Sequence, residues 1–133
     1  MQYCRGLQQH ILFINMIHVY GIPNCDTVKK ARTWLDAQSI PYTFHNFKTE
    51  PPSKVLLLDW CKQAGWEKLL NKQSSTWRAL DDDEKATATN AKKAVAIMMK
   101  NYSIIKRPVI TDTHGMVLAI GFNIATMESL ALA

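Results

Sequence analysis

The stretch from Met16 to Phe47 limits the fold more than any other part of the chain. "MIHVY", residues 16–20, alternates apolar and polar side chains and is rich in β-formers, which predicts a strand. Gly21–Pro23 breaks it. Residues 25–38 predict a helix with Val28, Ala31 and Leu35 on one stripe and Trp34 beside it, while Lys29, Lys30 and Arg32 point elsewhere. Pro41 stops continuation, and "YTFHNF", residues 42–47, predicts a second strand. A strand, a helix and a strand joined by a crossover of this length make the two strands parallel.

After the loop "KTEPPS", Ser53 is placed to cap a helix over 54–64 that turns Leu57, Leu58, Cys61 and Ala64 inward, and Gly65 to close it with a left-handed residue. Short helical turns follow around 66–71, 76–80 and 82–87. The acidic run Asp81–Glu84 suits a helix start, where the peptide dipole favours negative charge. Asn90 is placed to cap a helix over 91–100. "RPVIT" and "MVLAI" predict strands joined by a tight turn at Thr113–Gly115, hence an antiparallel hairpin, and Asn123 is placed to cap a last helix. The order βαβ, helices, ββα describes an α/β chain, a mixed four-stranded sheet with an all-helical insertion at about 53–100. This is the element order of a thioredoxin-like fold. By analogy with that fold, a cis bond at Arg107–Pro108 would bring the loop before the third strand beside Cys25.

The chain has 133 residues, of which 47% are hydrophobic, enough for one domain with a real core over 16–133. Residues 1–15 lack the small-residue cleavage pattern of a signal peptide and are expected to form a disordered extension, with Met16 a candidate start. No apolar run approaches the roughly 20 residues of a membrane span, so no membrane partner is expected. The net charge of +5 permits contact with anions, but the basic residues are spread in short pairs and show no zinc-finger spacing. Direct nucleic-acid binding is therefore not expected. Three cysteines at wide spacing, Cys4, Cys25 and Cys61, argue against a disulfide-stapled secreted fold and for a reducing, cytoplasmic setting.

Cys25 is the residue with chemistry to offer. It follows "YGIPN" at the point where the helix begins, so its sulfur would face unpaired backbone N–H groups and the positive end of the peptide dipole. Such placement lowers a thiol pKa from about 8.5 to roughly 3.5–7.5. Lys29, one turn along, adds positive potential, and the carboxylate of Asp26 opposes it. Asn24 and Thr27 are candidates both for orienting the thiolate and for capping the helix. The position three residues after Cys25, where a redox partner would stand, is Val28. Cys61 lies on the apolar stripe of its helix and reads as core. Trp60, Trp66 and Trp77 read as packing for the insertion. His10, His18, His45 and His114 show no metal-ligand spacing, so no metal site is expected, and His18 and His45 read as surface or edge positions.

"YGIPNCDTVKKA", "PYTFHNFKTEPPS", "LLNKQSSTWRAL", "IIKRPVI" and the late "GF" together resemble the ArsC-like family of arsenate reductases, closest to its YffB branch and alongside the Spx regulators. The resemblance covers roughly residues 16–130. It implies a thioredoxin-like core with a helical insertion, a nucleophile at Cys25, an anion-binding guanidinium at Arg107, and a substrate-shaping loop at Pro108. Arsenate reductases of this family use two further arginines, and this chain has Asn71 at one position and Ile120 or its neighbours at the other. A single guanidinium leaves most of an oxyanion's charge unmatched. Val28 likewise removes the second sulfur of the Cys-x-x-Cys switch carried by many Spx regulators. The reading that remains is a glutathione-dependent thiol–disulfide reductase with one working cysteine. Glutathione is its cosubstrate, held by Asn24, Thr27, Lys29 and Pro108 together with Arg107, and no cofactor is tightly bound. The alternatives are a non-catalytic regulator that binds RNA polymerase and an arsenate reductase.

Overall fold

The computed structural model describes residues 17–132. Cys4, His10, Met16 and the expected N-terminal extension lie outside the described residues. The elements run β1 (Ile17–Gly21), α1 (Asp26–Ala37), β2 (Tyr42–Asn46), α2 (Lys54–Ala64), α3 (Trp66–Leu69), α4 (Ser75–Ala79), α5 (Asp82–Ala86), α6 (Ala91–Lys100), a 3₁₀ turn at Tyr102–Ile104, β3 (Val109–Thr111), β4 (Val117–Ile120) and α7 (Ile124–Leu132). The chain divides into two compact units. One comprises the residues up to Asn46 and those from Arg107 onward, and the other is Phe47–Lys106.

The first unit holds the sheet, in the order β2-β1-β3-β4. β1 and β2 are parallel, as the crossover length requires, and β3 is antiparallel to both β1 and β4. Alternation along β1 sends Ile17 and Val19 to one face, where they pack with Ala31 and Leu35 of α1, Ile110, Ala119 and Met127. Burying these side chains supplies roughly 1.5–3 kcal/mol for each large one. Arg32 fastens α1 to β2 from outside this core: its Nε donates to the Tyr42 hydroxyl at 3.2 Å, and its guanidinium lies 4.1 Å from the Phe44 ring centroid.

The end of α1 is set two residues before Pro41. Ser39 takes a left-handed conformation (φ 55°), with Ser39 N–H bonded to Asp36 O and Ile40 N–H to Leu35 O. This is a Schellman closure built on a serine where glycine is usual, and Ile40 packs onto the core beside Leu35. The β3–β4 loop turns on Gly115 (φ 83°), with Asp112 Oδ1 accepting from His114 N–H and Met116 N–H. β3 begins only at Val109, because Pro108 has no N–H for the ladder.

The helical unit is built from caps the sequence spells out. Ser53, Ser74, Asp81 and Asn90 each accept from a backbone N–H three residues on. Gly65 has a positive φ of 93° with extended ψ, so it ends α2 and at once begins α3. Trp60, Leu57, Leu69, Met98, Ile104 and Phe47 are fully buried, Trp77 is buried, and Trp66 is half-buried. No helix among the described residues is long and apolar enough to cross a membrane.

Candidate functional site

β1 ends at Gly21, and the chain turns through Pro23 and Asn24, closed by a hydrogen bond from Cys25 N–H to Ile22 O at 3.2 Å. Proline in the second position of the turn presets its φ. Cys25 then occupies the N-cap of α1 with an extended backbone (φ −88°, ψ 126°), and its carbonyl accepts the first helical bond from Lys29 N–H at 2.9 Å. In this position a serine or aspartate side chain would accept from the second and third helical N–H groups. Here the acceptor is sulfur. The neutral thiol makes no full cap hydrogen bond; what the waiting N–H groups favour is the charged form.

The direction of the Cys25 pKa follows from this balance. Burial pushes the thiol up. The Val28 N–H, a hydrogen bond from the Arg107 side chain, the Arg107 charge and the Thr27 N–H pull it down, and together they win, so the thiol sits below its ordinary value. Arg107 precedes Pro108 through a cis peptide bond. Pro108 is buried, and its carbonyl accepts from Gly121 N–H at 2.8 Å, which ties the start of β3 to the end of β4.

Among the residues singled out from sequence, the structure brings Cys25, Arg107 and the backbone of Thr27 together. Asn24 is exposed in the turn and is not the cap, because Cys25 itself takes that place. Lys29 is exposed and lines a shallow groove along α1 with Lys30, Thr33, Trp34 and Ala37. Ile120 closes β4 opposite Val109. Within the helical unit, Asn71 brackets its own loop, its Oδ1 accepting from Gln73 N–H and its N–H bonded to Ile104 O. Val28 is the residue that sequence reasoning missed. It drew notice as part of the apolar stripe and as the place of an absent second thiol, yet its N–H is the leading group that favours the thiolate. The available signal was its place as third helical residue after a cysteine cap.

His45 lies on β2, an edge strand, as expected, whereas His18 departs from the surface or edge placement expected of it. His18 lies on β1, an inner strand, and its Nδ1 is 2.8 Å from His45 Nε2. The His45 ring stacks on Tyr20 at 4.3 Å. No group of three or more histidine, cysteine or acidic residues suited to a metal occurs among the described residues.

Comparison with known proteins matches residues 20–130 to the family model described as the ArsC family. An uncharacterised protein of Haemophilus influenzae is 42% identical over 108 residues, covering 81% of this chain and 92% of that protein. The global transcriptional regulator Spx of Streptococcus mutans is 30% identical over 110 residues, covering 81% of this chain and 77% of the regulator. A solved structure described as YffB superposes with a TM-score of 0.80 at 39% identity, covering 88% of this chain and 99% of that one.

Proposed function

The chain belongs to the ArsC family, and from that premise we propose that it is a glutathione-dependent monothiol oxidoreductase of the cytoplasm. The observation that carries this reading is a Cys25 thiol held below its ordinary pKa by the Val28 and Thr27 N–H groups and by Arg107, with valine where a second thiol would stand. In the first step the Cys25 thiolate attacks a sulfur of a glutathione mixed disulfide. The S–S bond breaks, the substrate thiolate leaves and takes a proton from water, and Cys25 is left disulfide-bonded to glutathione. A second glutathione thiolate attacks that bond, releases glutathione disulfide and returns the Cys25 thiolate. The net exchange converts one glutathione mixed disulfide and one glutathione thiol into the free substrate thiol and glutathione disulfide. Arg107 serves twice, favouring the thiolate at rest and offering its guanidinium to a carboxylate of the tripeptide. Asn24, Thr27, Lys29 and the backbone before Pro108 are the remaining groups for holding the tripeptide.

The test is incubation with glutathione disulfide followed by intact-mass and peptide analysis. A single glutathione adduct on Cys25, released by excess glutathione, supports the reading; no adduct at Cys25 ends it. Glutathione-coupled arsenate turnover would point instead to the chemistry in the family's name, for which Arg107 stands without arginines at 71 and 120. The similarity to Spx favours a second reading, a transcriptional regulator that binds RNA polymerase. A stoichiometric polymerase complex captured from lysate and unaffected by Cys25→Ser would select it.

A further inference from the structure

We propose that Gly21 and Val28 form a positioning pair that seats the first turn of α1 beneath the Cys25 sulfur. The inference deepens the monothiol reading and rests on it. Gly21 is the last residue of β1 and is buried. Its φ lies outside the left-handed range, so the backbone does not demand glycine there; space does. A Cβ on Gly21 would stand 2.6 Å from Val28 Cγ2 and 3.4 Å from Val28 Cγ1. The first distance is one that carbon atoms do not adopt. Val28 has no room to give way, being fully buried with a β-branched side chain that holds one χ1 rotamer in a helix. Relief must come from the helix backing off the strand.

That displacement falls on the N–H groups at the sulfur. Val28 is the third helical residue, and Thr27 sits just before it. Lifting the turn draws both away from Cys25, and the thiolate loses its two backbone donors. The valine that replaces a second thiol thus has a duty: its side chain fits against a residue without a Cβ, which brings its N–H to the nucleophile.

The experiment is iodoacetamide alkylation of Cys25 across pH 5–10, read by peptide mass spectrometry so that Cys4 and Cys61 do not contribute. In wild type the midpoint lies below that of an ordinary thiol. In Gly21→Ala the expected midpoint moves up towards the ordinary value, and alkylation at pH 6 falls about fivefold as the thiolate fraction drops. In Gly21→Ala/Val28→Ala the clashing methyl is gone and the nearest atom is the residue 28 Cβ at 3.6 Å, an ordinary contact. The double variant is expected to return towards the wild-type profile. A merely structural glycine would lower the melting temperature and leave the midpoint of the folded protein in place. An unchanged midpoint in folded Gly21→Ala, or no return in the double variant, overturns the proposal. If Gly21→Ala does not fold, the double variant decides alone: folded with a depressed midpoint supports the pair, and unfolded or ordinary overturns it. An ordinary midpoint in wild type is a different failure and removes the activated-thiol reading itself.

Discussion

Cys25 and Cys61 are both drawn out of bulk water, Cys61 to 5% exposure and Cys25 to an intermediate value, and burial pushes both thiols up. They nevertheless end on opposite sides of an ordinary cysteine, Cys61 raised and Cys25 lowered. The difference is their place on a helix. Cys61 lies within α2, in the run where N–H groups are spent on carbonyls four residues back, so burial meets no opposition at its sulfur. Cys25 stands at the N-cap, where the first N–H groups have no helical partner, and Arg107 adds a cation. Burial alone makes an inert thiol; burial at a helix start beside a guanidinium makes a nucleophile.

The largest expected effect separates the two sulfurs. Cys25→Ser is expected to reduce glutathione-disulfide exchange to background, a loss of at least about a hundredfold because valine stands where the second thiol of a Cys-x-x-Cys pair would be. Cys61→Ala is expected to leave turnover within about twofold. Loss of exchange in Cys61→Ala with a retained melting curve would break the comparison. Next comes Arg107→Met, which removes the cation but keeps an apolar stem. Alkylation of Cys25 at pH 6 is expected to fall about tenfold, the scale of one lost charge-assisted hydrogen bond. An unchanged rate would leave the N–H groups as the whole cause. Third, Cys61→Ala is expected to cost about 1 kcal/mol of stability as a small buried cavity, measured by urea unfolding. A cost of zero would mean that the helix relaxes into the space.

Much of this was legible because it is local. The crossover length fixed the parallel pair, and the caps at Ser53, Asp81, Asn90 and Asn123 stood in the sequence where the structure uses them. The end of α1 was legible to within one residue, but the way it closes was not, because a serine at positive φ, Ser39, carries no local signal. The Cys25 sulfur was placed by its neighbours in sequence, whereas its electrostatics depend on which groups face it in space. Lys29 and Asp26 adjoin it in the chain; Arg107, more than eighty residues away, donates to it. The space that makes Gly21 necessary belongs to a side chain on the next element, and no local pattern carries it.

The smallest effect applies the same rule to a base. His18 is held below its ordinary pKa first by burial and then by His45, with Asp112 pulling the other way. Tyr20 completes the cluster by stacking on His45. Because the folded pKa is depressed, the unfolded chain binds more protons as pH falls below about 6.5. Stability is therefore fully present above that value and is lost as pH falls through the folded pKa. His18→Gln keeps a polar side chain and removes the titration. Its melting temperature is expected to vary less than wild type between pH 7 and pH 5, by the equivalent of a few tenths of a kcal/mol once solvent screening is allowed for. Parallel pH curves for the two proteins would place the acid sensitivity elsewhere and restrict the rule to the thiols. A flatter curve for His18→Gln would extend it: on this sheet face, as at Cys61, burial disfavours charge where no stronger partner is supplied.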